Sequence, residues 1–368
     1  MLTHAYAVIL AGGRGERFWP MSTARQPKQL LSLVGNRPLI AAAVDRIQRL
    51  IPANRIFIIT NTDLIGPTRR ALPGFPRRNI IGEPMGRNTA AAVTLGAAFI
   101  KARDPQGVFC VLTADHVVGN LAIFRQTLKE AFIIAATTKC LLTIGIPPTF
   151  PSTAFGYIEA DARLHGVAVR AGNHPGRTPF VSVRRFVEKP DQATAARYLK
   201  TGRFFWNSGM FIWSLDAFQE ALARFQPPLW ALMNRIVPAL TTTRFARLLK
   251  AEYKQLKNIS IDYAIMEKAE NIVMAKGAFA WDDVGSWSAL EHHFDKDTSQ
   301  NVVIGQAETL DASDNIVVSR DGLVALIGVN NMVVVRTGNA TLVCPKSRAQ
   351  DVKKIVEILK HKRHHEVL

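Results

Sequence analysis

Along the first 146 residues, continuous apolar runs alternate with amphipathic stretches, and that alternation predicts the fold class. The runs at 5–10, 55–60, 79–82, 108–113 and 141–146 read as buried strands. Helix patterns lie between them. The first, 39–50, has Pro38 near its first turn and stops at Pro52. The second, 89–101, is rich in alanine and is capped by Asn88 or Thr89. The third covers 120–137. Fully apolar strands joined by helices argue a mainly parallel sheet covered on both faces. Ligands of such sheets sit beyond the carboxyl ends of the strands.

After Pro147-Pro148 the pattern changes. Polar alternation predicts antiparallel strands at 155–159, 167–170 and 181–184. Helices are expected at 191–199, 215–225, 227–240, 244–255 and 260–268. The domain boundary is set near 295, giving units 1–295 and 296–368. In the second unit, strands start near Val302, Ile316, Val324, Met332 and Thr341, separated by Asp321-Gly322, Asn330-Asn331 and Gly338-Asn339 turns. A short β-coil follows from that spacing. A last helix is expected from Ser347, with Gln350 completing a capping box and Val352, Ile355, Val356 and Leu359 as its apolar stripe.

A chain of 368 residues suggests two domains, and 48% hydrophobic content supports a substantial core. No apolar run reaches the ~18 residues a membrane span needs. The opening apolar segment runs into glycines with no cleavage site, so no signal peptide is expected. Cys110, Cys140 and Cys344 have no metal or redox spacing, which fits a reduced, cytoplasmic setting. A formal charge of +17 favours polyanionic partners. The basic residues are spread along the chain, however, and no basic patch interleaved with aromatics supports a nucleic-acid binder.

The chemistry concentrates after the first strand. Leu10 leads into Gly12, Gly13 and Gly15, with Arg14, Arg17 and Lys28 close by. Glycine lets a backbone take positive φ and approach a ligand. Consecutive N–H groups in such a turn attract an anion. The loop lacks the Gly-Lys-Ser/Thr of a P-loop and the third glycine of the dinucleotide fingerprint. Gly82-Glu-Pro-Met-Gly-Arg-Asn-Thr89, with Glu83 and Gly86, joins a strand to a helix. Such a junction suits an anion or a polar ligand edge, or Asn88 and Thr89 only cap the helix. Asp115 ends the strand Leu112-Thr-Ala-Asp-His116, as a cap or as a metal ligand. Asp283 lies in Trp281-Asp-Asp-Val-Gly-Ser-Trp287, as a ligand or as a helix N-terminal charge. Gly156, Glu188, Lys189 and Asn207 stand in three further polar motifs.

Leu10-Ala-Gly-Gly-x-Gly-x-Arg-x-Trp-Pro, followed by Pro27-Lys-Gln29, resembles the signature of sugar-nucleotide pyrophosphorylases, in the form of their GDP-mannose branch. Six ordered motifs carry the resemblance from residue 5 to about 358. It implies an α/β fold: a Rossmann-like, mainly parallel sheet followed by a small β-coil of left-handed β-helix type and a terminal helix. It also implies transfer of GMP from GTP to mannose 1-phosphate, with release of pyrophosphate. Arg17 and Lys28 would bind the triphosphate, and Mg²⁺ would sit on Asp115 and Asp283. Leu10, Gly12, Gly13, Gly15, Glu83, Gly86, Asn88 and Thr89 would form the nucleotide side, with Glu83 accepting from the guanine edge. Gly156, Glu188, Lys189 and Asn207 would form the sugar-phosphate side. The partners implied are GTP and mannose 1-phosphate, in a homodimer, with no nucleic acid and no membrane. Members with a fused isomerase carry a further cupin barrel; at 368 residues only the transferase is expected. Ala154 and Phe155 replace a glycine and a tyrosine of the family pattern, a change that bears on sugar choice. A manno-heptose 1-phosphate would keep every motif. A non-catalytic regulatory relative is disfavoured by the presence of Arg17, Lys28, Asp115 and Asp283 together.

Overall fold

The computed structural model describes residues 2–161 and 178–368, so the strand expected at 167–170 lies outside the described residues. β1 (Ala5–Leu10) sits inside a nine-stranded sheet. Ala5, Ala7 and Ile9 enter one apolar layer, Tyr6 and Val8 the other. A strand covered on both faces must be apolar at every position, and this one is. β2 (Ile56–Asn61), β3 (Ile80–Glu83) and β4 (Val108–Thr113) run parallel to it. α1 (Leu39–Gln48) covers the first layer, and α3 (Asn88–Arg103) the second; the short α2 (Ile65–Ala71) precedes β3.

β5 (Val117–Val118) is a two-residue strand outside the main sheet. α4 (Leu121–Thr137), with Asn120 capping the Ile123 N–H, returns the chain to β6 (Leu141–Ile146). β7 (Tyr157–Ala160), β8 (Phe180–Val187), α5 (Gln192–Thr201) and β9 (Phe204–Ser214) follow. The sheet order is β3-β2-β1-β4-β9-β6, then β10 (Ile272–Lys276), β8 and β7. β6 and β10 pair in parallel, and β9 and β8 run against their neighbours.

The central strand β9 and the strand β10 are absent from the expectation. Asn207-Ser208-Gly209 interrupts the apolar run of β9, Gly209 has φ 66°, and the register against β6 shifts there. A bulge of this kind erases the alternation by which a strand is recognised. α6 (Leu215–Phe225), α7 (Pro227–Ile236) and α8 (Phe245–Gln255) pack on the second layer. The helix expected at 227–240 ends at Ile236 in a turn containing Pro238. The one expected at 260–268 is a single wide turn, Asp262–Met266. β11 (Trp281–Asp282) pairs antiparallel with β5.

The C-terminal unit is a coil of parallel strands. β12 (Val302–Ile304), β14 (Ile316–Ser319) and β16 (Met332–Thr337) form one ladder, closed by the antiparallel β17 (Ala340–Pro345). β13 (Ala307–Leu310) and β15 (Val324–Ile327) form the other. β13 escapes sequence reading because Glu308, Thr309 and Leu310 are all exposed. The capping box at Ser347 does not form. Residues Lys346–Asp351 make a tight turn instead, and α9 (Val352–His361) begins five residues later than expected, without a side-chain cap. Ile355 of its expected stripe is exposed, while Val352 and Val356 are buried. They share one core with Phe18, Trp19 and Met21 of the first domain and with the coil residues Ile316, Val318, Val333 and Val335.

An asparagine ladder holds the coil in register. Buried Asn315 donates to Asn301 Oδ1 (3.0 Å) and to the Val329 carbonyl (2.9 Å), and accepts from the Met332 N–H (2.9 Å). Asn315→Ala leaves the Met332 N–H without its acceptor, costing about 1–3 kcal/mol, and removes one of two donors from Asn301 Oδ1 and from the Val329 carbonyl, which keep the Asn315 and Ser313 N–H groups, at about 0.5–1.5 kcal/mol per lost bond. We expect a loss of about 3 kcal/mol in denaturant unfolding, with the Met332 amide losing its protection from hydrogen exchange first. Unchanged stability would show that water replaces the amide.

Candidate active site

The glycine loop follows β1 and is tied by its carbonyls. Gln29 and Thr60 donate to the Ala11 carbonyl (2.7 and 2.9 Å), Asn61 to that of Gly12 (3.4 Å) and Ser22 to that of Arg14 (2.8 Å). In a planar trans peptide, a carbonyl turned inward aims the next N–H outward. The N–H groups of Gly12, Gly13 and Gly15 therefore face away from their anchors, as an anion site requires. Only Gly15 of the three takes a positive φ, 65°. A Cβ there would lie 2.2 Å from Lys28 Cβ, so glycine lets the loop close onto Lys28. Leu10, at the end of β1, packs against the second apolar layer.

Lys28 gathers the site. Its Nζ donates to Asp115 Oδ2 (3.0 Å) and to the Asp283 carbonyl (2.6 Å), and it lies over the Phe18 ring. Its side chain is 6% exposed, against 35% for Asp115. Asp115 follows β4. Arg46, buried on α1, grips the backbone on both sides of it, donating to the Thr113 carbonyl (2.7 Å) and the His116 carbonyl (2.8 Å). Asp283 arrives by the β5–β11 ribbon, in which Asp282 lies opposite Val117. Two acidic residues 168 positions apart thus meet at one ammonium. A cavity of about 300 Å³ opens there, lined by Arg14, Arg17, Lys28, Asp115 and Asp283. A larger one, about 570 Å³, lies behind the ribbon against Arg46 and Arg125 and has none of the glycine loop.

The electrostatics separate the two acids. Burial pushes Asp115 up, but Lys28 and then His116 outweigh it and hold the carboxyl below its ordinary range. Burial pushes Asp283 up to about 6; Lys28 opposes this, and Asp282 and Asp115 add to it. Asp282 is engaged elsewhere: it accepts from the Val284 N–H (2.7 Å) and pairs with His292 and His293. Val284 has φ 46°, a costly conformation for a β-branched residue, and the Asp282 bond fixes it. His116 is structural: its Nδ1 lies 3.1 Å from the Trp281 indole nitrogen, and burial lowers it to about 4. Two carboxylates are what Mg²⁺ takes from a protein when phosphate oxygens and waters complete its shell. Among the described residues, no group of three or more His, Cys, Asp or Glu offers a fuller metal site.

On the other side of the loop, Glu83 ends β3. It is buried rather than exposed, with Oε1 accepting from the Tyr253 hydroxyl (3.2 Å) and Oε2 facing Gly12. Burial pushes its carboxyl to about 7, against the Tyr253 hydrogen bond. Gly86 is open on the side a Cβ would occupy. Asn88 and Thr89 do not cap α3 as expected. Asn88 is left-handed, φ 63°, and accepts from the adjacent Thr89 N–H; the Thr89 hydroxyl accepts from Ile261 N–H (2.8 Å). The neighbouring Arg87 instead holds the end of α8 through the Tyr253 and Lys254 carbonyls.

Gly156, Glu188, Lys189 and Asn207, the residues expected on the sugar side, come together as a group. Glu188 Oε2 lies 2.7 Å from where a Gly156 Cβ would be, so a larger residue there would displace the Glu188 carboxylate. Lys189 pairs with Glu188 (2.8 Å) and has φ 40°. Asn207 N–H donates to the Gly156 carbonyl (2.8 Å), and its side-chain amide donates to Asp262 (2.7 Å). Phe155 packs on Trp206 and on Trp281, which joins this group to the Asp283 ribbon. Asp262 and Tyr253 were missed in the sequence. Asp262 is half-buried and desolvation raises its pKa; its one signal is a lone acid among Ile259, Ile261 and Ala264–Met266. Tyr253 looks like any core residue of α8.

A doubly covered sheet with a glycine loop after its first strand and two acidic residues converging on a lysine defines a nucleotidyl transferase. The nucleotidyl transferase family model matches residues 6–300, and the MannoseP isomerase/GMP-like beta-helix domain matches 300–359. An Escherichia coli mannose-1-phosphate guanylyltransferase is 38% identical over 98% of this chain and 76% of its own length. Mannose-1-phosphate guanylyltransferase 2 of Escherichia coli O157:H7 is 36% identical over 96% and 73%. A Thermus thermophilus crystal structure, described as a mannose-1-phosphate geranyltransferase, superposes with a TM-score of 0.85 at 33% identity, over 97% of this chain and all of that one. The chain belongs to the mannose-1-phosphate guanylyltransferase family of nucleotidyltransferases.

Glu83 yields a signed prediction for stability. A carboxyl raised from 4.5 to about 7 favours the folded state only while protonated. The cost of ionising it grows as pH rises from 4.5 and is complete above 7, amounting to about 3 kcal/mol. Glu83→Gln should therefore stabilise the protein at pH 8 and have little effect at pH 5. Denaturant titrations at both values check this; equal effects at the two pH values would contradict it.

Proposed function

We propose that the chain transfers GMP from GTP to mannose 1-phosphate, giving GDP-mannose and pyrophosphate. The observation that carries this reading is the meeting of Lys28, Asp115 and Asp283 at a cavity walled by the glycine loop. The curated relatives' names support the same products. The sugar phosphate oxygen attacks the α-phosphorus, and the bond from that phosphorus to the β-phosphate bridging oxygen breaks. The protein's work is to align two anions and offset their charge. Outward N–H groups of the glycine loop, with Arg14 and Arg17, receive the leaving pyrophosphate. Lys28 holds the two acidic segments in register and adds its charge beside the phosphates. Mg²⁺, if held by Asp115 and Asp283, would neutralise phosphate charge shared by the two substrates. Glu188 and Asn207 offer acceptors and donors to sugar hydroxyls, Lys189 a charge to the sugar phosphate, and Glu83 an acceptor to guanine N1–H and N2–H₂.

A second sugar remains open on one observation. Ala154 and Phe155 stand where the family pattern has glycine and tyrosine, and Phe155 lies against Trp206 and Trp281 beside Asn207.

Pyrophosphate release should be fastest with GTP and mannose 1-phosphate in a matrix of four nucleoside triphosphates and several sugar 1-phosphates, manno-heptose included. A higher kcat/KM with another pair would replace the substrate assignment. Glu83→Gln should lower kcat/KM for GTP roughly 10- to 100-fold and leave ATP use unchanged or slightly better. A constant GTP/ATP ratio would move guanine recognition to the backbone near Gly86.

A further inference from the structure

The C-terminal unit reaches the triphosphate cavity. α9 buries Val352 and Val356 in the core it shares with Phe18 and Trp19, so its position is fixed against the glycine loop. The Trp19 indole donates to the Val367 carbonyl (2.8 Å), which anchors the chain beyond α9 to the same loop. Lys353 and Lys360 are seven residues apart, two turns of helix, and therefore share a face. Lys360 pairs with Glu16, inside the loop. Lys353 lines the cavity beside Gly15, Arg17 and Lys28. Its own partner is weak: Glu357 lies 3.8 Å away, and the side chain is 54% exposed. The neighbouring Lys354 points elsewhere and pairs with Asp351 at 2.8 Å.

We infer that Lys353 is a substrate-binding residue of the transferase, supplied by the C-terminal unit to the β- and γ-phosphates of the nucleotide and to the departing pyrophosphate. The inference rests on the triphosphate assignment of the cavity. An ammonium on a flexible stem, in reach of the loop that receives the leaving group and free of a tight ion pair, is suited to follow a charge that moves away during the reaction. It gives the coil domain a part in the chemistry. It also accounts for one of the surplus cations of this +17 chain.

Calorimetric titration of the full-length protein with magnesium pyrophosphate, GTP and GMP tests this. Lys353→Gln should weaken pyrophosphate and GTP about tenfold, and Lys353→Arg only about twofold, since it keeps the charge. GMP, which lacks the outer phosphates, should bind Lys353→Gln as it binds the wild type. Lys354→Gln should match the wild type with all three. Unchanged pyrophosphate and GTP affinity in Lys353→Gln, equal weakening of GMP, or a wild type that does not bind pyrophosphate would overturn the inference. A wild type that binds GTP and pyrophosphate but makes no GDP-mannose would overturn the substrate assignment and leave Lys353 to be judged on binding.

Discussion

The site depends on one buried ammonium. Lys28 is nearly closed off from water, yet it holds the side chain of Asp115 and the backbone of Asp283. Taking a cation out of water costs several kcal/mol unless its hydrogen bonds are satisfied. Here the satisfying groups come from the end of β4 and from the β5–β11 ribbon. The glycine loop closes over the Lys28 backbone because Gly15 has no side chain to prevent it. Two segments remote from Lys28 in sequence, around Asp115 and Asp283, are thus drawn to one atom, and neither can shift without costing the ammonium a hydrogen bond.

Support for that atom is built outward in layers. Arg46 fixes both flanks of Asp115 from α1, and Asp282 fixes the strained turn at Val284. Trp281 packs on the wall that carries Gly156 and Asn207. The segment 253–262 links Glu83, through Tyr253, to Thr89, through Ile261, and to Asn207, through Asp262. The residues expected on the nucleotide side and those expected on the sugar side are therefore coupled through shared partners. The C-terminal coil completes the frame, since its core includes Phe18 and Trp19, next to the loop.

Much of this was legible in the chain. The parallel half of the sheet is plain because strands buried on both faces run apolar over most of their length, as in β1, with polar residues only at the ends of β2, β3 and β4. The glycine loop, Lys28, Asp115 and Asp283 stand out because short polar motifs end those apolar runs. The antiparallel half was harder. β9 is broken by its bulge at Ser208 and Gly209, and β13 faces solvent, so neither shows the expected period. The partners of the site residues were illegible for another reason. Arg46 and Tyr253 look like ordinary helix residues; their roles exist only once β4, β3 and α8 have packed. The capping predictions at Asn88 and Ser347 failed because tertiary partners fix those turns: Thr89 is held by Ile261, and Lys346 by Glu291 and Asp314.

We expect Asp115 and Asp283 to act as one unit across Lys28. A double-mutant cycle measures this most directly. Asp115→Asn and Asp283→Asn should each lower kcat/KM for pyrophosphate release by roughly a hundredfold or more, and the double variant should lose little beyond the worse single one. Losses that multiply, with the double variant down by the product of the two, would contradict a shared site.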